Sequence, residues 1–326
     1  MAYSESVLRA AEARLAAERQ QHDDQNRARI AAIYEAQPRL REIDSQLRKT
    51  SARVMAACFR KGEDTQQAIE QLKKENLALQ QERAWILESN ELSPDDLADT
   101  PICPDCSGTG YVGTVMCGCL RELCRQEQKK ELAAILGGKE RFEHFRLDVY
   151  PDTVDPALGV SPRTLMQCIL QSAQHYARTF SPASGSILML GATGLGKTYL
   201  SACIARVVAD RGFSVTYETA IRAFADFESA RFGSRAEDAP DPTRRYFACD
   251  LLILDDLGTE MTTQFTVSAL YQIVNTRLLE NKATILSTNL PAAELDRRYG
   301  AQTASRLLGS YELYQFRGND IRRMQK

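Results

Sequence analysis

SILMLGATGLGKT, residues 186–198, joins an apolar run directly to a glycine-rich turn that ends in Lys-Thr. Ser186 to Leu190 is a short apolar run of the kind that forms a strand buried on both faces. The glycine-rich turn GATGLGKT follows at once, and the run YLSACIARVVADRG after it has a helical composition. Strand, turn and helix in that order make a phosphate cradle. Gly191, Gly194 and Gly196 let backbone amides turn inward around phosphate oxygens, and Thr193 belongs to the same loop. The N-terminus of the following helix adds its partial positive charge. The motif assigns Lys197 to the β- and γ-phosphates of ATP and Thr198 to Mg²⁺. A plain glycine turn has no need of Lys-Thr at those two positions.

Two further stretches support this reading. CDLLILDDLGTE puts Asp255 and Asp256 at the end of a wholly apolar strand, where adjacent acids are costly unless a cation is near. Asp255 is expected to hold Mg²⁺ through water and Asp256 to polarise the attacking water. Glu is the more usual residue at the second place in vigorous ATPases, so the rate of hydrolysis stays open. ATILSTN ends a third such strand. Asn289 on its own is an ordinary turn residue, but behind the first two elements its amide is suited to sensing the γ-phosphate and the lytic water. Strand-like runs at Ser186 to Leu190, Phe213 to Tyr217, Leu251 to Leu254, Ala283 to Ser287 and Tyr311 to Phe316 alternate with helical ones. That is the α/β pattern of a parallel five-stranded sheet.

LLILDDLGTE, YQIVNTRLLENKATILSTN and SRLLGSYELYQFRGNDIR together resemble the AAA+ core of the DnaC/DnaI helicase loaders and of their relative, the IstB transposition helper. The resemblance spans about residues 140 to 323. It implies an AAA+ P-loop NTPase fold and a place for two arginines. Arg306, in SRLLG, resembles the arginine finger that enters a neighbouring subunit's ATP site, and Arg322, in GNDIR, is similar to the sensor arginine that touches the γ-phosphate in cis. Planar guanidinium groups suit developing phosphate charge. Arg277, Arg297 and Arg298 are secondary candidates for a trans contact, with salt-bridged or exposed roles the plainer reading. An arginine acting in trans implies an ATP-dependent homo-oligomer. The family further implies a replicative hexameric DNA helicase and single-stranded DNA as partners.

CPDCSGTGYVGTVMCGCL carries Cys103 and Cys106 as a C-x2-C pair, with Cys117 and Cys119 returning after a short glycine-containing hairpin. Four thiolates at this spacing make a closed tetrahedral Zn²⁺ site, structural rather than catalytic. Unligated cysteines and an iron–sulfur centre are the alternatives, and Cys124 could replace one of the second pair. The module also resembles one found ahead of the ATPase core in DnaI-like loaders. Cys58, Cys168, Cys203 and Cys249 are expected to fill core space, and His22, His144 and His175 to play ordinary surface or core roles.

Residues 4 to about 90 read as helix with breaks near Pro38 and Lys61-Gly62. Leu40, Ile43, Leu47 and Val54 line one face; Ile69, Leu72, Leu79 and Ile86 line another. Asn76 and Arg83 interrupt the second seam, so a short hairpin or bundle is expected rather than a long coiled coil. A self-packed bundle and a partner-docking surface are both open. The organisation expected is therefore 1–92 helical, 93–130 zinc module, 131–160 linker and 161–326 ATPase. With 326 residues and a formal net charge of −2, any contact with nucleic acid must be local. The lack of a long apolar run excludes a membrane span and leads to the expectation of a cytoplasmic protein. Three functions fit: an ATP-dependent helicase loader, an IstB-like transposition helper, and a non-hydrolysing ATP-binding adaptor.

Overall fold

The structure is a computed structural model and describes residues 3–58, 65–156, 159–233 and 241–321. The chain divides into two compact units, Arg14–Cys117 and Met1–Ala13 with Gly118–Lys326.

The first unit contains most of helix α1 (Glu5–Ala36), together with α2 (Pro38–Cys58) and α3 (Thr65–Ser89). Pro38 opens α2, where its missing N–H costs nothing. Leu40 and Ile43 of α2 pack with Ile86 and Leu87 of α3, and Leu47 and Leu79 flank them. Arg39 pairs with Glu82 and Arg53 with Glu75, so α2 and α3 run antiparallel as a short hairpin. Arg83, expected to break the seam, is matched across it by Asp44 at 2.7 Å, which also accepts the Tyr34 hydroxyl at 2.8 Å. The break expected near Lys61-Gly62 lies outside the described residues, as does the side chain of Cys58. Strands β1 (Tyr111–Val112) and β2 (Val115–Met116) form an antiparallel hairpin.

The second unit runs through α4 (Gly118–Leu136), α5 (Pro162–Thr179), β3 (Ser186–Leu190), α6 (Lys197–Asp210), β4 (Val215–Thr219), α7 (Ala220–Phe232) and α8 (Arg244–Ala248). It continues with β5 (Leu251–Leu257), α9 (Gln264–Leu279), β6 (Ala283–Thr288), α10 (Ala292–Tyr299), α11 (Ala301–Ser310) and β7 (Tyr311–Gln315). The five strands are all parallel, in the order β4-β5-β6-β3-β7. This is the expected α/β architecture with a parallel five-stranded sheet. Alternate residues of each strand feed opposite faces. Ile187, Met189, Leu251, Ile253 and Ile285 face α5 and α6, whereas Leu188, Leu190, Leu252, Leu254 and Leu286 face α7, α9 and α11.

Two expectations need correction. Cys203 and Cys249 are buried, but Cys168 is exposed. The buried stripe of α5 is Met166, Ile169, Leu170, Ala173 and Ala177, and position 168 falls on its opposite side. Arg277 is neither salt-bridged nor exposed: its side chain is fully buried. The guanidinium donates to the carbonyls of Tyr246, Cys249, Asp250 and Ala283 and to Thr284 Oγ1, fastening the segment before β5 to the start of β6. No helix among the described residues is long and apolar enough to cross a membrane.

Candidate functional site

The strand order brings the C-terminal ends of β3, β5 and β6 to one edge of the sheet, with β6 between the other two. The loop leaving β3 is tied to this edge by Gly191 N–H donating to the Thr288 carbonyl at 3.3 Å. Ile321 N–H donates to the Gly194 carbonyl at 3.0 Å, so the chain after β7 crosses the loop. Gly194 has φ +77°, and a Cβ there would overlap the Asp320 carboxylate. Only glycine accommodates both the left-handed backbone and that approach. Lys197 is buried, and its Nζ donates to the carbonyls of Gly191 and Ala192 at 2.7 and 2.8 Å. Its ammonium group therefore sits inside the curl of the loop, at the N-terminus of α6, and Thr198 beside it is exposed.

Asp255 and Asp256 part company at a bulge between Leu254 and Leu257 in the pairing of β5 with β6. Asp255 is buried and accepts hydrogen bonds from Tyr217 Oη at 2.9 Å and from Ser287 Oγ. Burial, with the Asp255 charge beside it, pushes the Tyr217 phenol well above its ordinary pKa, so it stays a donor. Asp256 adopts φ +55°, a conformation that Asp tolerates better than most residues, and is exposed. Its N–H donates to Ser287 Oγ at 3.0 Å. The bulge thus turns one acid into the sheet and the other outward.

Thr193, Gly194, Gly196, Lys197, Thr198, Asp256 and Asn289 line one cavity of about 440 Å³. Asn289 Oδ1 is buried there without a hydrogen-bond partner among the described residues. An orphaned buried acceptor facing a cavity is a place for a ligand donor or an ordered water. Thr198 and Asp256 bring side-chain oxygens, the donors that Mg²⁺ takes, to the cavity, and the buried Asp255, which directly precedes Asp256 in β5, is not among its lining residues. The lining residues fit a nucleotide phosphate chain with its cation.

A second constellation involves sulfur. The Sγ atoms of Cys103, Cys106, Cys117 and Cys119 all lie within 4.8 Å of one another. Cys124 is outside this group, buried in α4, where burial and the charge of Glu12 push its thiol up to about 11. The cysteine-rich module is thus a convergent four-thiol site in which all four sulfurs can face a single ion.

The sequence profile of the family described as IstB-like ATP binding protein matches residues 170–326. The match covers just under half of the chain. The replicative helicase loader DnaC of Escherichia coli (strain K12) is 26% identical over 141 residues, 42% of this chain and 56% of DnaC. A putative insertion sequence ATP-binding protein of Sinorhizobium fredii (strain NBRC 101917 / NGR234) is 29% identical over 112 residues, 34% of this chain and 36% of that protein. The chain thus spans about half or less of the curated relatives it matches. The crystal structure of DnaI is 20% identical, with a TM-score of 0.44, over 60% of this chain and 99% of DnaI.

Within the matched stretch, Arg306 does not line the cavity. It lies 4.9 Å from the Tyr271 ring centroid, and its Nε donates to Asn275 Oδ1 at 3.0 Å. Arg322 lies outside the described residues. Arg297 is exposed, while Arg298 is held by the Glu260 carbonyl at 2.5 Å and lies 5.9 Å from the Tyr299 ring centroid. Sequence reasoning missed one wall of the cavity altogether. It comes from ahead of the matched stretch: His144, Phe145, Arg146, Val149 and Tyr150. Tyr150 is buried, and its hydroxyl donates to the Leu195 carbonyl of the phosphate loop at 2.8 Å. The rings of Phe145 and Tyr150 stack at 6.1 Å. His144 is exposed and lies along this wall. The available signal was the aromatic density of RFEHFRLDVY, set aside as an irregular linker.

Proposed function

We propose that this chain is an ATPase that loads a replicative hexameric DNA helicase onto single-stranded DNA. The observation that carries this reading is the joining of a cavity lined by the phosphate loop, Asp256 and Asn289 to a helical hairpin and a four-cysteine module ahead of it in the chain, parts that the hydrolysis of ATP does not require. In this reading Lys197 and the loop amides bind the β- and γ-phosphates. Thr198 and Asp255 hold a hydrated Mg²⁺, which neutralises phosphate charge. Asp256 takes up proton density from the attacking water, and the Asn289 amide orients that water against the γ-phosphate. Arg306 acts from a neighbouring subunit in an ATP-dependent homo-oligomer, and Arg322 acts in cis. Zn²⁺ on Cys103, Cys106, Cys117 and Cys119 stiffens the docking module. ATP binding favours the form that holds the helicase, and hydrolysis releases it.

A second reading, an ATPase that assembles on DNA and assists transposition, draws support from the IstB-like profile and the insertion-sequence relative. Co-sedimentation of the full chain with the replicative helicase of its own host, in ATP and in ADP, separates the two. ATP-sensitive binding that Arg306→Ala weakens at constant nucleotide affinity supports the loader. No helicase binding in either nucleotide, with ATP-dependent assembly on DNA, supports the transposition helper. Absence of turnover under every DNA and partner condition leaves a non-hydrolysing adaptor.

A further inference from the structure

The Asp255 carboxylate is gripped by two hydroxyls from two neighbouring strands, and neither is among the residues assigned above to the nucleotide. Tyr217, in β4, donates to Oδ2 at 2.9 Å, and Ser287, in β6, donates to Oδ1. Strand register makes this possible. Tyr217 pairs with Ile253, and Ile253 pairs with Ile285. Asp255 and Ser287 lie two residues beyond Ile253 and Ile285, so all three polar groups emerge on the sheet face covered by α6.

Valence fixes the direction of the bonds. An ionised carboxylate only accepts, and a phenol has a single proton, which goes to Asp255. Ser287 Oγ accepts the Asp256 N–H at 3.0 Å, leaving its own proton for Asp255. On the other side Tyr217 Oη meets Ser201 Oγ at 3.0 Å, and Ser201 Oγ lies 3.0 Å from the Thr198 carbonyl. With the Tyr217 proton on Asp255, the single Ser201 proton serves either Tyr217 Oη or the Thr198 carbonyl, so hydroxyls run from Ser201 past Tyr217 and Asp255 to Ser287 and the backbone of Asp256, across α6, β4, β5 and β6. Ser201, Tyr217, Asp255 and Ser287 are all buried. Water is therefore poorly placed to replace a lost hydroxyl.

We propose that Tyr217 and Ser287 are positioning residues that fix the Asp255 carboxylate toward a hydrated Mg²⁺ at the nucleotide site, with Ser287 also setting the backbone of Asp256. The proposal rests on the ATP-site reading above. Charge-assisted hydrogen bonds to a buried carboxylate hold its plane and offset its desolvation. Removing one leaves the group free to turn, and a carboxylate whose plane is not held is a poorer anchor for a cation.

The test uses the full chain with Tyr217→Phe and, separately, Ser287→Ala. Affinity for a fluorescent ATP analogue is titrated against free Mg²⁺, and affinity for a fluorescent ADP analogue is measured in EDTA. The expected result is a Mg²⁺ midpoint raised about tenfold in each variant, with cation-free ADP affinity held within about twofold. Unchanged midpoints in variants that fold overturn the positioning role alone. A wild-type chain that binds no nucleotide overturns the ATP-site reading and this proposal with it. The two substitutions sit on different strands, so if one variant fails to fold the other decides.

Discussion

Replacing Arg277 by Met separates a structural arginine from an arginine finger. The side chain is fully buried at the N-terminal end of β6, whereas Asp255 and Asn289 lie at the C-terminal ends of their strands. Its oxygen partners are four carbonyls and one hydroxyl, at 2.6 to 3.3 Å, and Cys249 Sγ lies at 3.5 Å. Hydrogen bonds to a charged group contribute about 1.5–3 kcal/mol each, and a buried acceptor left unpaired costs about 1–3 kcal/mol. These terms do not add, because the freed segment relaxes and the desolvation of the guanidinium is recovered. A net loss of about 4 kcal/mol is expected. For a unit of this size that lowers Tm by roughly 10 °C. Thermal unfolding followed by circular dichroism measures it, with nucleotide affinity determined well below the transition. Arg277→Met should bind nucleotide normally at low temperature. A variant with wild-type Tm and lost turnover would refute the structural assignment and place Arg277 in catalysis.

Three further outcomes are expected. Gly194→Ala forces a side chain into a left-handed position, at about 1–2 kcal/mol, and against the Asp320 carboxylate. Nucleotide affinity by fluorescence titration should drop at least about tenfold, with a fall of only a few degrees in Tm. Asp256→Asn keeps a residue that tolerates positive φ, so fold and nucleotide affinity should be retained while turnover falls about 10²–10⁴-fold in a phosphate-release assay. Purified protein should carry about one Zn²⁺ per chain by elemental analysis, lost in Cys103→Ser, and metal removal by a chelator should expose the four thiols to a thiol reagent. Protein that is metal-free as isolated, or thiols whose reactivity ignores the chelator, would count against the metal site.

Legibility in the sequence followed the locality of the chemistry. The phosphate loop, the acids and Asn289 each lie within a short contiguous stretch at a strand end, so the residue order carries their placement. Apolar runs buried on both faces likewise showed the parallel sheet. Boundaries shifted where polar residues are satisfied inside the sheet: β5 continues through Asp255 and Asp256 to Leu257, because hydroxyls from β4 and β6 receive the carboxylate. Tyr217, Ser287 and Tyr150 were not legible. Each acts through a partner more than thirty residues away in the chain, brought near by register or by packing of the segment before α5. Arg277 misled for a related reason. Its partners are backbone carbonyls, which have no signature in the sequence, and a fully buried arginine is rare enough that composition argues for the surface.

Helicase-loader and insertion-sequence relatives both match this chain over limited stretches, 141 and 112 residues in the two cases above. The machinery for binding ATP is therefore common ground between the two readings, and what separates them is the partner that an ATP-driven change of state would move. Allosteric coupling requires a second site whose occupant distinguishes the two nucleotide states. Arg14–Cys117 has the means to provide one. Its α2 and α3 spend their apolar seam on each other, yet Met55, Leu77 and Trp85 stay exposed, Trp85 at 68%. Lone exposed apolar side chains are common on protein surfaces, but an exposed Trp is the residue type most enriched among interface hot spots. A hairpin that has satisfied its own core and still presents an indole to water offers a contact point for a protein partner or, by stacking, for an unpaired base.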